Sequence, residues 1–407
     1  LLTSRYGQLI LIKTGLLLAI GAVGWWQRRA ALPALRRGDR RRFAVVTAVE
    51  IALFGLTIGA AVALSRTPQP RGELLEEDLA TAMLGYPMPP PMTAGRLLGY
   101  WLPDPLLIFA ALVAAVCYLV GVRRLHRRGD RWPVLRTVAF LAGCVLFVVA
   151  TSSGLARYSP VLFSVHMVQH LLLAMVVPIL LALSAPVTLA LRALTKAADP
   201  AWPGLREWLQ AFLRLRISRV LTHPVFALAH YVVTMYLMYL TGLYELALRS
   251  HAAHLLMIGH FMLSGYLFFW VVIGVDPAPR PRPAPPLRMV LVAVSMALHA
   301  FLGVVLMQTS ELLAANWFTK LPRTWGPDPL ADQHVAGGIA WSFGELPTVL
   351  VVIALFIQWI RADEREQRRL DRAADRAAAE GREEDALAAY NAMLAELAER
   401  DGNRAGR

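Results

Sequence analysis

The chain has 407 residues, of which 57% are hydrophobic and only 17% charged, with a mean hydropathy of +0.49. So much apolar mass excludes a water-soluble enzyme or binding module and indicates an all-α, polytopic membrane protein lodged in a lipid bilayer. The formal charge of +13 would suit nucleic acid, but the cations gather in alternate loops, which argues against such a partner.

Apolar runs of about 18–25 residues predict nine membrane helices, near 8–26, 43–64, 105–121, 134–152, 162–190, 219–242, 252–274, 288–309 and 337–360. The first two form a hairpin over 1–64, closed by the arginine-rich turn RRAALPALRRGDRRR. Residues 65–104 read as an extracytoplasmic linker, with the acidic patch GELLEED and the proline-rich run PMPPPM. Met88 and Met92 in that run fit either plain linker residues or a place where Cu(I) is captured. Seven further helices fill 105–360. The run 162–190 is expected to tilt, or to break at Pro178 or Pro186, because proline removes a ladder donor. Within 191–219, LREWLQAFLRLR sets Leu205, Trp208, Leu209 and Leu213 in one stripe between arginines, which suits a helix lying on the inner leaflet. The charged, alanine-rich tail 361–407 predicts two short cytoplasmic helices broken near Gly381. The chain starts at Leu1 without a signal peptide's charged region and cleavage site, so it is expected to be a piece of something longer.

Nine spans define two alternating sets of loops. The set 27–42, 122–132, 191–219 and 275–288 holds 21 Lys and Arg, against 7 in 65–104, 153–160, 243–251 and 310–336. The positive-inside rule then places the N-terminus outside and the C-terminus in the cytoplasm.

Eight of the ten histidines fall inside or at the lip of these apolar segments. Intramembrane ionisable groups are costly, and by default they are functional candidates. Imidazole and thioether together suit copper. On the predicted topology, His166 lies about 6 Å and His170 about 12 Å below the outer edge, one turn apart on one face of helix five. His251 and His254 stand at the mouth of helix seven, with His260 about 12 Å in. On helix eight, His299 is about 15 Å from the outer end and Met307 about 3 Å. His334, in DQHVAGG, precedes helix nine on the outer side. Met167 and Met257 have compatible depths. The predicted metal group is thus His166, Met167, His170, His251, His254, His260, His299, Met307 and His334, opening to the oxidising compartment. His230, near mid-depth, reads as an interhelical hydrogen-bonding residue, and His126 and His223 lie at the cytoplasmic side. Asp332 fits either a carboxylate that orients a histidine ligand or an exposed loop residue. Glu50 and Glu345 fit either relay groups or hydrogen-bonded packing. Cys117 and Cys144 stand on different helices without a CxxC and read as buried packing residues. No Ser–His–Asp spacing, phosphate loop or HExxH appears, so hydrolytic enzymology has no foothold.

Four blocks carry a family likeness: RRGDRWPVLRTVAFLAG, SGLARYSPVLFSVHMVQHLLLAMVVPILLALSAPVTLALRAL, HAAHLLMIGHFMLSGYLFFWVVIGVDP and DQHVAGGIAWSFGELP. With them, the stretch 95–372 resembles the CtaG family of seven-helix cytochrome c oxidase assembly proteins. The hairpin, YGQLILIKTGLLLAIGAVGWWQRR and FAVVTAVEIALFGLTIGAAVALSRTPQP, resembles the end of the CopD copper-resistance family. Their fusion is an arrangement associated with actinobacteria. The resemblance implies a bacterial plasma-membrane protein that handles copper for the copper-bearing subunits of the oxidase. The positions that carry over are His166, Met167 and His170, then His251, His254 and His260, and Asp332. Two helices are fewer than a complete CopD unit, so the remainder is expected upstream of Leu1.

The expected function is therefore non-enzymatic: copper is bound at an outward-facing His/Met site and delivered to the apo-oxidase. His166, His254 and His334 are expected at the lip, with His170, His260 and His299 deeper. One alternative is a haem protein, with His170 and His260 as axial ligands at one depth. Others are a copper permease or resistance protein and a purely structural scaffold.

Overall fold

A computed structural model of the chain describes residues 5–27, 29, 40–66, 78–197, 203–343, 345–379, 388 and 390–396. The arginine-rich turn and the acidic patch fall largely outside these residues, as do Gly381 and the side chain of Glu345. The described residues divide into two compact units, 1–77 and 78–407. All regular structure among them is helical.

The first unit is a hairpin of α1 (Arg5–Trp26) and α2 (Arg40–Arg66). Its surface is apolar almost throughout: Leu11, Leu18, Ile51 and Ile58 are all exposed. Glu50 of α2 is half-buried and points its carboxylate at Gly24 of α1.

The second unit begins with α3 (Leu79–Leu84) and α4 (Ala94–Gly99). It continues with α5 (Pro105–Arg127), α6 (Val134–Ser152), the short α7 (Gly154–Tyr158) and α8 (Phe163–Leu171). A π-helical turn at Leu172–Val176 leads into α9 (Val177–Leu183), followed by α10 (Pro186–Ala193). Then come α11 (Leu205–Arg214), α12 (Arg216–Leu221), α13 (Pro224–Leu240) and α14 (Leu243–Arg249). The last are α15 (His251–Ile273), α16 (Pro285–Gln308), α17 (Ala315–Phe318), α18 (Pro329–Phe343) and α19 (Glu345–Ala379).

Seven of the described helices are long and apolar enough to cross a bilayer, or eight if α13 and α14, bent by 70°, form one span. A shorter apolar stretch, Val45–Ala61, lies in α2. The expected start at 219 moves to Pro224, because a proline is comfortable at the first helical position and disfavours helix just before it. The run 162–190 is interrupted at Pro186 and continues as helix through Pro178. Pro178 follows the π turn, and Ala185 adopts the left-handed conformation (φ +54°) before Pro186 opens α10. Cys117 is exposed rather than buried, on the apolar outer face of α5, and Cys144 is half-buried. The end of the last span likewise shifts, since α19 runs unbroken from Glu345 to Ala379.

Part of the segment expected to be a linker is instead docked onto the bundle. Prolines offer carbonyls but no N–H, and the donors come from Tyr158 of the bundle and from Arg96 of the segment itself. Tyr158 Oη donates to Pro90 O at 2.7 Å, and Arg96 Nη1 to Pro91 O at 2.6 Å. Tyr86 Oη donates in return to Arg157 O at 2.6 Å, and the Arg157 guanidinium lies 4.0 Å from the Tyr100 ring centre and 5.1 Å from that of Tyr86. Gly154 permits the approach: a Cβ there would meet the Arg96 carbonyl and stand 2.7 Å from Leu97 Cα.

These contacts gather 78–104, 153–160, 243–251 and the neighbourhood of Trp317 at one end of the bundle, the end poor in cations. At the opposite end, Asp276 accepts from the N–H groups of Val187 (2.9 Å) and Thr188 (2.7 Å) and from Thr188 Oγ1 (2.6 Å). Arg128 reaches Arg192 O there, and Arg280 reaches Arg219 O. At that end α11 carries Leu205, Trp208 and Phe212 exposed on one stripe.

Candidate functional site

The histidine-bearing helix α8 has no side-chain cap of its own, since Leu162 holds the N-cap position. Asp332 of α18 supplies the cap through space: its carboxylate accepts from Ser164 N at 3.2 Å and Ser164 Oγ at 2.5 Å. A carboxylate at a helix N-terminus also complements the helix dipole. Asp332 is buried within a helix, so it is neither an exposed loop residue nor a partner of a histidine ring. It positions the helix that carries His166 and His170.

Gln333, beside it, fixes the preceding loop by accepting from Leu313 N (2.8 Å) and donating to Glu311 O (3.0 Å). His334 completes the set: its Nε2 lies 3.0 Å from Thr309 O at the end of α16. The DQH triplet is thus a clasp joining α8, α16 and the 309–313 loop. We expect Asp332→Ala to leave the Ser164 N–H and hydroxyl unpartnered in a buried position, at a cost of about 2–4 kcal/mol. A lowered thermal midpoint in detergent would report it, and Asp332→Asn, which keeps an acceptor, should cost less.

The predicted ligands do not converge on one centre. Among the described residues no group of three or more His, Cys, Asp or Glu side chains is gathered as if around a metal ion. The imidazoles form a file with a side branch. At its open end is a cleft of about 520 Å³ lined by Met83, Tyr86, Asp104, Gln169, His251 and His254, among others. His251 is exposed, with Nε2 3.6 Å from Asp104 Oδ2; that carboxylate also caps α5. His254, one turn deeper and half-buried, is within electrostatic reach of both His251 and His166.

His166 is buried, its Nε2 3.1 Å from Tyr239 Oη, and its ring centre lies 4.7 Å from Tyr244. One turn on, His170 stacks nearly parallel to His299 of α16, with ring centres 6.1 Å apart and planes within 8°. Both rings are buried, and in each Nδ1 has no hydrogen-bond partner. Phe261, edge-on at 4.2 Å, and Tyr239 at 5.5 Å enclose His170. Beyond this pair, towards the cation-rich end, the core is mainly apolar, with Phe268, Phe269, Val272, Leu291 and Val292, and it also buries Ser264, Ser295 and Arg288.

His260 is not in the file. It faces His230 of α13, with ring centres 5.3 Å apart and planes at 80°. The haem expectation that His170 and His260 oppose each other is therefore not met, because Phe261 takes that place. Met167 and Met257 are core residues. Met307 packs against Gly337 and Gly338 of α18, where the backbones of α16 and α18 nearly touch at Gly303 and Gly337. Tyr239, Tyr244 and Gln169 escaped the sequence reading, because a lone aromatic or amide in a span resembles packing. The i, i+3 relation of Gln169 to His166 was the one available signal.

With this arrangement in place, likeness to known proteins becomes informative. The family model described as cytochrome c oxidase caa3 assembly factor matches residues 116–362, and the copper resistance protein D model matches residues 1–64. Uncharacterized proteins of Mycobacterium bovis and Mycobacterium tuberculosis are each 44% identical over 314 residues, covering 77% of this chain and 47% of theirs. One of Mycobacterium leprae is 41% identical over the same share. The chain thus spans about half the length of the curated relatives it matches. No solved structure matches it.

Proposed function

We propose that this chain, which belongs to the cytochrome c oxidase caa3 assembly factor family, binds copper along its file of imidazoles and hands it to a copper-bearing subunit of the apo-oxidase. The observation that carries this reading is the run from exposed His251, through His254 and His166, to the buried pair His170 and His299, whose Nδ1 atoms have no partner. Buried polar atoms without partners are costly, and a soft or borderline ion held between two imidazoles would relieve that cost. Tyr239 Oη holds the His166 ring from behind, the role outer hydrogen-bond partners play for metal ligands.

Ligand exchange moves the ion and no covalent chemistry is required, so the reading is of a carrier rather than an enzyme. The positive-inside rule puts the cleft outside the bacterial plasma membrane and the cation-rich end in the cytoplasm. The copper-resistance likeness of the hairpin supports copper as the cargo. Beyond His170 and His299 the buried polar side chains are Ser264, Ser295 and the cationic Arg288, which are poor ligands for a copper ion, and this favours delivery over passage across the bilayer.

Metal analysis of purified protein against His166→Ala/His170→Ala is the test. We expect bound copper to fall in the variant, and unchanged copper would sink the reading. Uptake of copper by proteoliposomes would replace delivery with transport, and a Soret band would replace copper with haem. In the same assay Tyr239→Phe should weaken copper about 10–100-fold while leaving the ligands in place.

A further inference from the structure

His260 and His230 stand apart from the file, in surroundings that ordinary packing does not account for. On α15, His260 shares a face with Leu256 and Leu263, which are 74% and 71% exposed. On α13, His230 shares a face with Phe226, Val233 and Leu237, all exposed large hydrophobics. Both helices are apolar enough to enter a bilayer, so this double stripe meets lipid tails. Two imidazoles set into such a stripe are expensive to keep there. Protein groups do not relieve that expense: His260 Nε2 is buried without a hydrogen-bond partner, and its nearest ring is His230, centre to centre at 5.3 Å. Phe226 backs His230 at 5.9 Å with planes within 10°, which fixes the ring.

We propose that His230 and His260 form a second metal position, separate from the file and opening sideways into the bilayer. Nitrogens about 2 Å from one ion bring ring centres to within about 6 Å, so rings 5.3 Å apart are close enough to share it. Imidazole ligands suit copper; the identity of the ion rests on the function proposed above, whereas the position rests on the pair itself. Phe261, which follows His260 on α15, meets His170 at 4.2 Å. An ion on the lateral pair is out of reach of a water-soluble acceptor. It is presented to a partner with an apolar, membrane-embedded surface, as an integral subunit of the oxidase would have.

The test counts metal on full-length chain in lipid nanodiscs, using Cu(I) under reducing conditions and Ag(I) as a redox-inert probe. Wild type is compared with His230→Phe/His260→Leu and with His170→Ala/His299→Ala. The lateral variant should lose one equivalent and keep the inner one, and the inner variant should do the reverse. The metal-free lateral variant should also melt no lower than wild type, because it replaces the unpartnered His260 Nε2 and a second imidazole with apolar side chains on a lipid-facing stripe. Unchanged stoichiometry in the lateral variant, or a marked fall in its metal-free melting point, overturns the second position and leaves the file standing. No metal on wild type overturns both.

Discussion

Cells whose only copy of this protein carries His170→Ala/His299→Ala are expected to assemble oxidase lacking its copper, while the protein itself accumulates in the membrane. The two rings meet across α8 and α16 at 6.1 Å, and each has a buried Nδ1 that hydrogen-bonds to nothing. Removing both takes away the proposed ligands themselves, so the loss of affinity should exceed the about 10–100-fold typical of losing an outer hydrogen-bond partner. Folding should survive, because the two Nδ1 atoms leave no hydrogen-bond partner behind, and the lost ring packing and the His299 contact with the Ala340 backbone cost a cavity term of a few kcal/mol. His126→Ala is the matched control: it lies on the last turn of α5, exposed, at the cation-rich end. Normal copper loading of the double variant would remove the inner pair from the mechanism. Equal loss in the control would show that the assay reads folding rather than ligation.

Gly265→Ala is expected to produce the largest destabilisation of any single added methyl group beneath the site. Pro178 has no N–H to give the Ala174 carbonyl one turn earlier, and the π turn leaves that carbonyl aimed at α15. A Cβ on Gly265 would collide with Ala174 O and stand 2.9 Å from both Ala174 C and Pro178 Cγ. Backbone on both sides leaves nothing flexible to yield, so the cost should reach about 3 kcal/mol, the upper end for overpacking. The shift of α15 would also carry Phe261 off the His170 ring and weaken copper binding. Gly259→Ala on the same helix meets nothing within 4 Å, and should change stability by no more than about 1 kcal/mol. Equal melting points for the two variants would refute the close packing of α15 on the π turn.

Much of the site was legible in the chain because helical spacing and depth are arithmetic. HMVQH put His166 and His170 one turn apart on one face, and HAAH set His251 and His254 at the start of α15. His299 came out near the depth of His170, and the two stack. Rotation about each helix axis is not arithmetic of that kind. His260 and His170 were expected at equal depth and do not meet. A step of one residue turns the side chain by about 100°, and it is Phe261 that faces His170 while His260 faces His230. His230 looked like ordinary packing for the same reason: nothing in a single helix says which neighbour a lone imidazole will find.

Asp332, Gln333 and His334 carry the same lesson for a motif. The chemistry of Asp332 and His334 suggested an outer partner and a metal ligand, yet Asp332 holds the Ser164 N–H and hydroxyl, Gln333 holds backbone, and His334 Nε2 lies against the Thr309 carbonyl. The docked residues 78–104 were hidden by composition, since a proline-rich run reads as linker until a tyrosine elsewhere in the chain is seen to donate to its carbonyls.

By itself the sequence determined the membrane class, the helical architecture, the family and the spacing of the imidazoles along each helix, because hydrophobic length and rise per residue are properties of one segment at a time. Which rings face each other, which carbonyl the π turn releases and which carboxylate caps which helix were decided only in the tertiary structure. Each of those facts depends on the rotation and approach of two segments far apart in the chain, and the packing of side chains between helices is what sets both.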